Sequence, residues 1–337
     1  MTSWVEATYS CSDEAPAFLE RELNRLYGTR YSCLPRFKLY GSWNQVRAYV
    51  ARRAGVAVAV FLFRCEKGRA IVLNEGMHVS DEDANRFASY LFRNHDSVSQ
   101  VAFHFVEAGA RRFAFPFQRA ACGEDIMLAL PPSAEAYTAS LNAATRAILQ
   151  QGLSRIRHEL PNFNFSVYET QDVPVPVIRA IIRLDRLSAQ ALGMAPLIDE
   201  AEEERIIAYV ALCGFVTVAT SNGRICAGAI TYRLGSNFTA RVLAHDPTGG
   251  GHLLGMSWAY LTICECIKAG GSRYFYFGWG QDAYKQDLGA RDRRLVHLSL
   301  FRSRLHVLRH AGPALGAMFG GLAFHARRWL LRSARRS

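Results

Sequence analysis

Residues 240–285 read ARVLAHDPTGGGHLLGMSWAYLTICECIKAGGSRYFYFGWGQDAYK, and their order decides the fold. The apolar alternation over 238–244 predicts a strand, which enters a glycine-rich turn. A helix over 257–269 follows, and YFYF at 274–277 returns as a second strand. A glycine turn that opens a helix bares several backbone N–H groups at the positive end of the helix dipole, where an anion is attracted. Glycine also lets the backbone come close to a bulky phosphate. Gly249, Gly250, Gly251 and Gly255 are therefore candidate phosphate ligands, although a plain turn ahead of a helix uses the same residues.

Working upstream, Asn222-Gly223 stands between two apolar runs and predicts a tight hairpin joining strands 214–220 and 225–234. Helices are expected over 175–192 and 199–212, after a strand at 162–169. Residues 135–160 read as one long helix, and Pro131-Pro132 ahead of it marks a boundary. The first part of the chain repeats the order in weaker form. A helix is expected over 13–27, then strands at 46–53, 56–64 and 69–73. A helix follows at 81–93, with Ser80 as N-cap and acids in its first turn, and a strand at 99–106. Downstream, 295–300 is the last strand. The second half reads β-β-β-α-β-β and the first β-β-β-α-β, so the chain is expected to be a weak internal duplication. The expected domains are 1–130, 131–302 and a basic amphipathic tail, 303–337.

The chain has 337 residues, half of them hydrophobic and a fifth charged, ample for two packed domains. Net charge is +11, and residues 298–337 contribute eight arginines and no acid, leaving +3 for everything before them. A near-neutral body with a basic, partly apolar end points to an anionic membrane surface rather than nucleic acid. The eight cysteines form no CxxC and sit mostly in apolar stretches, which predicts reduced, buried thiols and no metal site. The N-terminus lacks a basic segment followed by an apolar one, and no apolar run reaches 18 residues, so a secretory signal and a spanning helix are not expected.

Three motifs carry a resemblance. Tyr137-Thr-Ala-Ser140-Leu141 with Thr145-Arg146 follows a "y…sL…tR" pattern. Leu254-Gly255 heads the helix after the glycine loop. Phe277-Gly278-Trp279-Gly280-Gln281-Asp282-Ala283-Tyr284-Lys285, with Leu288-Gly289 behind it, follows F-G-x-G-x-x-x-Y-K. Over about 137–300 the chain resembles the CelD/BcsL family, in the FemAB-like branch of GNAT acyltransferases. The resemblance implies an α/β fold of tandem GNAT-like lobes, each a mixed, mostly antiparallel sheet flanked by helices, the N-terminal one degenerate. It implies acyl-CoA (acetyl-CoA) as co-substrate, no metal, and transfer of an acyl group to an amine or hydroxyl of a sugar in cell-surface polysaccharide biosynthesis. Such an enzyme is expected to be cytoplasmic, peripheral at the inner face of the membrane, with a small or lipid-linked sugar as substrate. The loop at 249–255 departs from the Q/R-x-x-G-x-G/A pyrophosphate loop of standard GNAT enzymes. FemAB relatives use aminoacyl-tRNA, so a tRNA-dependent transferase is the alternative, and an inactive scaffold at the membrane is another.

Acyl transfer needs a base for the nucleophile and donors or cations for the tetrahedral oxyanion. Lys285, presented after a strand and turn, is the first candidate for the oxyanion or a phosphate. Tyr284 is placed to protonate a leaving thiolate or orient the acceptor, and Asp282 to act as base or hold a sugar hydroxyl. Trp279, between two glycines, offers a stacking face for a sugar or adenine. Arg146 and Arg241 are candidates for an acidic or phosphorylated substrate. His245 and Asp246, ending the strand before the glycine loop, read either as a base with its partner or as a turn with a satisfied histidine.

Overall fold

The computed structural model describes residues 4–11, 15–41, 43–109, 112–247, 252–278 and 283–309. The chain forms two compact units. The first holds 1–34, 42–124 and the chain from Arg293 onward, and the second 35–41 and 125–292.

In chain order the first elements are β1 (Trp4–Ser10), α1 (Phe18–Leu26), α2 (Leu34–Tyr40), β2 (Arg47–Arg53), β3 (Val56–Glu66) and β4 (Arg69–Val72). β5 (His78–Val79), α3 (Asp81–Asn94) and β6 (Gln100–Ala108) follow, and β7 (Phe117–Ala129) carries the chain into the second unit. There lie α4 (Ala134–Ser140), α5 (Ala143–Glu159), β8 (Asn164–Glu169), α6 (Val175–Ala191) and α7 (Glu200–Cys213). Then come β9 (Gly214–Ser221), β10 (Arg224–Leu234), β11 (Asn237–His245), α8 (His252–Lys268), β12 (Tyr274–Gly278) and α9 (Ala283–Asp287). β13 (Arg291–Phe301) returns to the first unit, and α10 (Arg304–Arg309) is the last described element.

Within the first unit the strand order is β1-β2-β3-β4-β6-β13, antiparallel except where β4 meets β6. Arg53-Ala54-Gly55 turns the β2–β3 hairpin, with Ala54 and Gly55 both at positive φ. Ser80 accepts the Asp83 N–H at 3.1 Å and starts α3. That helix buries Phe87 and Leu91 completely against Tyr49, Phe61, Phe63 and Phe103. Four aromatic rings meet Phe87 at centroid distances of 4.8–6.1 Å, and its burial alone stabilises by roughly 2–3 kcal/mol.

The second unit has the order β7-β12-β11-β10-β9-β8, with β11 and β12 its parallel pair. Asn222 and Gly223 take positive φ in the β9–β10 hairpin, the geometry an Asn-Gly turn requires. Both units are therefore mixed, mostly antiparallel sheets with helices on them, as the resemblance implies.

Four expectations are corrected. The helix over 135–160 is two helices. Asn142 accepts the Thr145 N–H at 2.8 Å and begins α5 anew, because a capping side chain competes with helix continuation. The strand at 295–300 does not complete the second lobe. As β13 it pairs with β6 (Leu298 opposite Phe103) and buries Val296, Leu298 and Leu300 in the first unit's core, so the expected domain 131–302 ends at Asp292. β1 and β7 were not expected. β7 holds the polar run Gly123-Glu124-Asp125 at its middle, which masks the strand pattern. Finally, α8 starts at His252, five residues ahead of the periodicity, which puts Gly255 inside the helix. The tail beyond Arg309 lies outside the described residues. Among those described, no helix is long and apolar enough to cross a membrane.

Candidate functional site

β11 and β12 pair over only three residues, Asn237 with Tyr274, Phe238 with Phe275 and Thr239 with Tyr276. β12 then turns onto β7. Its register shifts between Tyr276 and Gly278, Gly278 takes a φ of +74°, and Gly278 stands opposite Ile126. β11 runs on to His245 with β10 on one flank and, among the described residues, no strand on the other. Residues 240–245 thus present an open strand edge inside a sheet. On the β10 side, Ile230 pairs with Val242 and Thr231 with Ala240, so Arg241 is the extra residue of a β-bulge. A bulged residue drops out of the ladder, and its backbone is released for other partners.

The first unit repeats this geometry and fills it. β4 and β6 also pair in parallel over three residues, Arg69 to Ile71 with Gln100 to Ala102. Beyond them the chain's own residues 73–79 occupy the edge of β6. Gly76 N–H donates to Phe105 at 2.7 Å, Glu107 N–H to Met77 at 2.9 Å, and β5 pairs with 107–108. The first unit's counterpart of the open edge is closed by its own backbone.

α6 covers the open strand on one face. Gly228 of β10 admits Ile181, since a Cβ there would stand 2.3 Å from its Cγ1. Ser188, two turns on, donates to the His245 carbonyl at 3.3 Å. Arg241 crosses to α7 and meets Glu202 at 2.9 Å, and Glu202 also receives the Tyr40 hydroxyl at 2.9 Å and Arg205 at 3.3 Å. Burial works to raise the Glu202 carboxyl, but the hydrogen bonds from Arg241 and Tyr40 outweigh it and hold the group below the ordinary glutamate range. Glu203 takes Arg179 at 2.9 Å and Arg186 at 2.7 Å. Asp185, between Ile181 and Ser188 on α6, makes no hydrogen bond or ion pair among the described residues. Burial lifts its carboxyl above the usual range, although Arg241 and Arg186 pull it down.

On the opposite face, α8 packs through Met256, Ala259 and Ile263 onto Phe238 and Ala240. Gly255 serves packing here: a Cβ would meet the His245 ring at 3.0 Å, so the glycine lets the imidazole lie against the helix. Next to it a cavity of about 80 Å³ is lined by Ile156, Phe163, Cys226, His245 and Trp258, among others.

The described motif residues differ in their surroundings. Lys285, on α9, is only 5% exposed, which is not where a solvated lysine sits. Tyr284 packs partly buried against the second unit's core. Tyr137 is fully buried and donates to the Leu288 carbonyl at 3.0 Å, so two of the three motifs meet. Arg146 is occupied with backbone: its Nη1 donates to the carbonyls of Ala139 and Leu141 at the end of α4, beside an open groove of about 510 Å³ lined with Glu135 and Thr138. Gly249, Gly250, Gly251, Trp279 and Asp282 lie outside the described residues. All eight cysteines are free, and among the described residues no cluster of His, Cys, Asp or Glu is arranged to hold a metal. Sequence reasoning missed Asp185 and Glu202. Asp185 sits on the amphipathic α6 and Glu202 in the acidic first turn of α7, where a carboxylate reads as solvated face.

Residues 179–286, about a third of the chain, match the family described as an acetyltransferase (GNAT) domain. In fold the chain is similar to FemX, at 10% identity and a TM-score of 0.59, over 86% of this chain and 97% of that one. It is also similar to L-PGS from Bacillus licheniformis, at 16% identity and a TM-score of 0.50, over 88% and 95%. Each likeness covers more of the chain than either unit holds, so it extends through both. No curated protein matches the chain in sequence.

Proposed function

From a chain that carries a GNAT-type acetyltransferase domain at 179–286 in a FemX-like fold, we propose an acyltransferase that moves an acyl group from acyl-CoA to an amine or hydroxyl of a sugar. The observation that carries the reading is the open edge of β11 beyond Thr239, with its bulge at Arg241. A thioester laid along that edge meets strand backbone with no strand partner among the described residues, and a donor N–H aimed at a developing oxyanion is worth several kcal/mol of barrier. The edge leads through the glycine loop to the N-terminus of the 17-residue α8, whose dipole favours the phosphates of the donor. Lys285 adds a cation held in a buried place, suited to the oxyanion or a phosphate. Direct attack by the acceptor then needs no covalent enzyme intermediate.

The pathway, polysaccharide assembly at the cell surface, follows from the CelD/BcsL resemblance. The basic segment 303–337 fits an anionic membrane surface by composition, which salt-sensitive co-sedimentation with anionic vesicles tests. A second reading, an aminoacyl-tRNA donor, is favoured by one observation: the FemX likeness runs through both units. The two are separated by thermal shift with acetyl-CoA and longer acyl-CoA esters, alongside thiol release with amino and hydroxy sugars. Stabilisation and turnover support the first reading. No response to any CoA ester, with binding of charged tRNA, transfers support to the second.

A further inference from the structure

We propose that Asp185 is the acceptor-side catalytic residue of this site: it holds the ammonium of an amine acceptor above the open edge of β11 and takes its proton. The inference rests on the acyl transfer proposed above and narrows its acceptor to an amine.

Position comes first. Ile181 and Ser188 pin α6 to the sheet at two points, over Gly228 and at the His245 carbonyl. Asp185 is one turn beyond Ile181 and one turn before Ser188, so it lies on the same helix face between the two anchors. Gly228 pairs with Ala244 and Ala227 with His245, which sets those anchors on the last residues of β11. Asp185 therefore lies over the end of β11, which has no strand on its far flank among the described residues.

Charge comes second. Two neighbouring acids of α7 are engaged: Glu202 by Arg241, Tyr40 and Arg205, and Glu203 by Arg179 and Arg186. The two cations that act electrostatically on Asp185 are committed elsewhere, Arg241 to Glu202, and Arg186 to Glu203 and the Ile198 carbonyl. A half-buried carboxylate with no direct partner is costly to keep, and an incoming ammonium completes it. A neutral hydroxyl does so less well, which sets the preference for an amine. Burial also pushes the Asp185 carboxyl above the usual aspartate range, although Arg241 and Arg186 pull it down.

The step balances. The acceptor ammonium gives one proton to the Asp185 carboxylate, and the freed lone pair attacks the thioester carbon. The C–N bond forms, the C–S bond breaks, and the nitrogen's second proton leaves with the thiolate as free thiol.

The test compares wild type, Asp185→Asn and Asp185→Glu, with acetyl-CoA and glucosamine or glucose. Thiol release is followed from pH 5.5 to 9, and acetyl-CoA binding is measured by calorimetry. For Asp185→Asn we expect acetyl-CoA affinity within twofold of wild type, kcat/KM for glucosamine down at least 100-fold, and the acid limb of its pH profile gone. Asp185→Glu recovers part of the rate, and wild type prefers glucosamine to glucose. Retained binding shows that the variants are folded. An Asp185→Asn protein with kcat/KM within threefold of wild type and the same pH profile overturns the inference alone. A wild type that neither binds acetyl-CoA nor releases thiol overturns both the inference and the acyl-CoA reading.

Discussion

Tyr137 and Leu288 are joined across 151 residues by a 3.0 Å hydrogen bond from the tyrosine hydroxyl to the leucine carbonyl. The bond ties the end of the α9 turn to α4 in a site sealed from water, and Gly289 at φ +85° lets the turn pass against Leu128 and Leu141. Tyr137→Phe leaves that carbonyl unpaired in the core, at a cost of about 1–3 kcal/mol. Thermal denaturation should show a drop of roughly 3–8 °C with the fold intact.

Two glycines separate tight packing from tolerant packing. Gly228→Ala sets a methyl 2.3 Å from Cγ1 of Ile181 on a helix that cannot easily withdraw. We expect a loss of about 1–3 kcal/mol and, because α6 shifts, reduced transfer activity. Gly255→Ala meets the His245 ring first, at 3.0 Å, and that ring borders a cavity of about 80 Å³ toward which it can shift. Urea titrations of both variants should rank Gly228→Ala as clearly the more damaging.

These contrasts show what was legible. Hairpins and caps are local, so Asn222-Gly223 and Ser80 announced their turns and ends in the sequence. Strand partners are not local: nothing in RDRRLVHLSLF says that β13 joins β6 rather than the strands that precede it in the chain. The second unit's elements from β8 to β12 were legible because their apolar runs are long and bounded by turn residues. Within the site, the motif around 277–285 singles out Lys285, which the fold leaves only 5% exposed, whereas Asp185 and Glu202 gain meaning only once α6 and α7 lie over β11. The long helix split at Asn142 because one side chain can satisfy a backbone donor as well as the helix does.

The Arg241–Glu202 pair, with side chains 17% and 14% exposed, sits between surface and buried behaviour. Arg241→Ala removes the main cation from a carboxylate that stays largely enclosed, and we expect roughly 2–3 kcal/mol of destabilisation. Because Glu202 holds its charge to lower pH folded than unfolded, its share of stability is present above the ordinary glutamate range and fades as pH falls through its depressed value. Denaturation from pH 3 to 7 should therefore show a shallower acid loss in Arg241→Ala than in wild type.

His104 and His297 meet through their Nδ1 atoms at 3.1 Å where β6 bulges beside β13 and Phe105 takes positive φ. Burial, then His297 and Arg69, lower His104 to about 4, and burial lowers His297. The unfolded chain binds a proton at His104 near pH 6.5 while the folded chain refuses it until about 4, and burial works in the same direction at His297. Stability is thus full above pH 6.5 and falls as pH drops toward 4, by about 2 kcal/mol for His104 after allowance for partial exposure. His104→Gln should flatten that slope in urea titrations at pH 7 and 4.5.

The central claim is that an acyl thioester lies along β11 where β12 leaves it. The most direct test is photocrosslinking with a photoreactive acyl-CoA, followed by peptide mapping of the intact protein. Label is expected within 240–285 and is abolished by excess acetyl-CoA. Label confined to 47–108, or none that acetyl-CoA displaces, would contradict it.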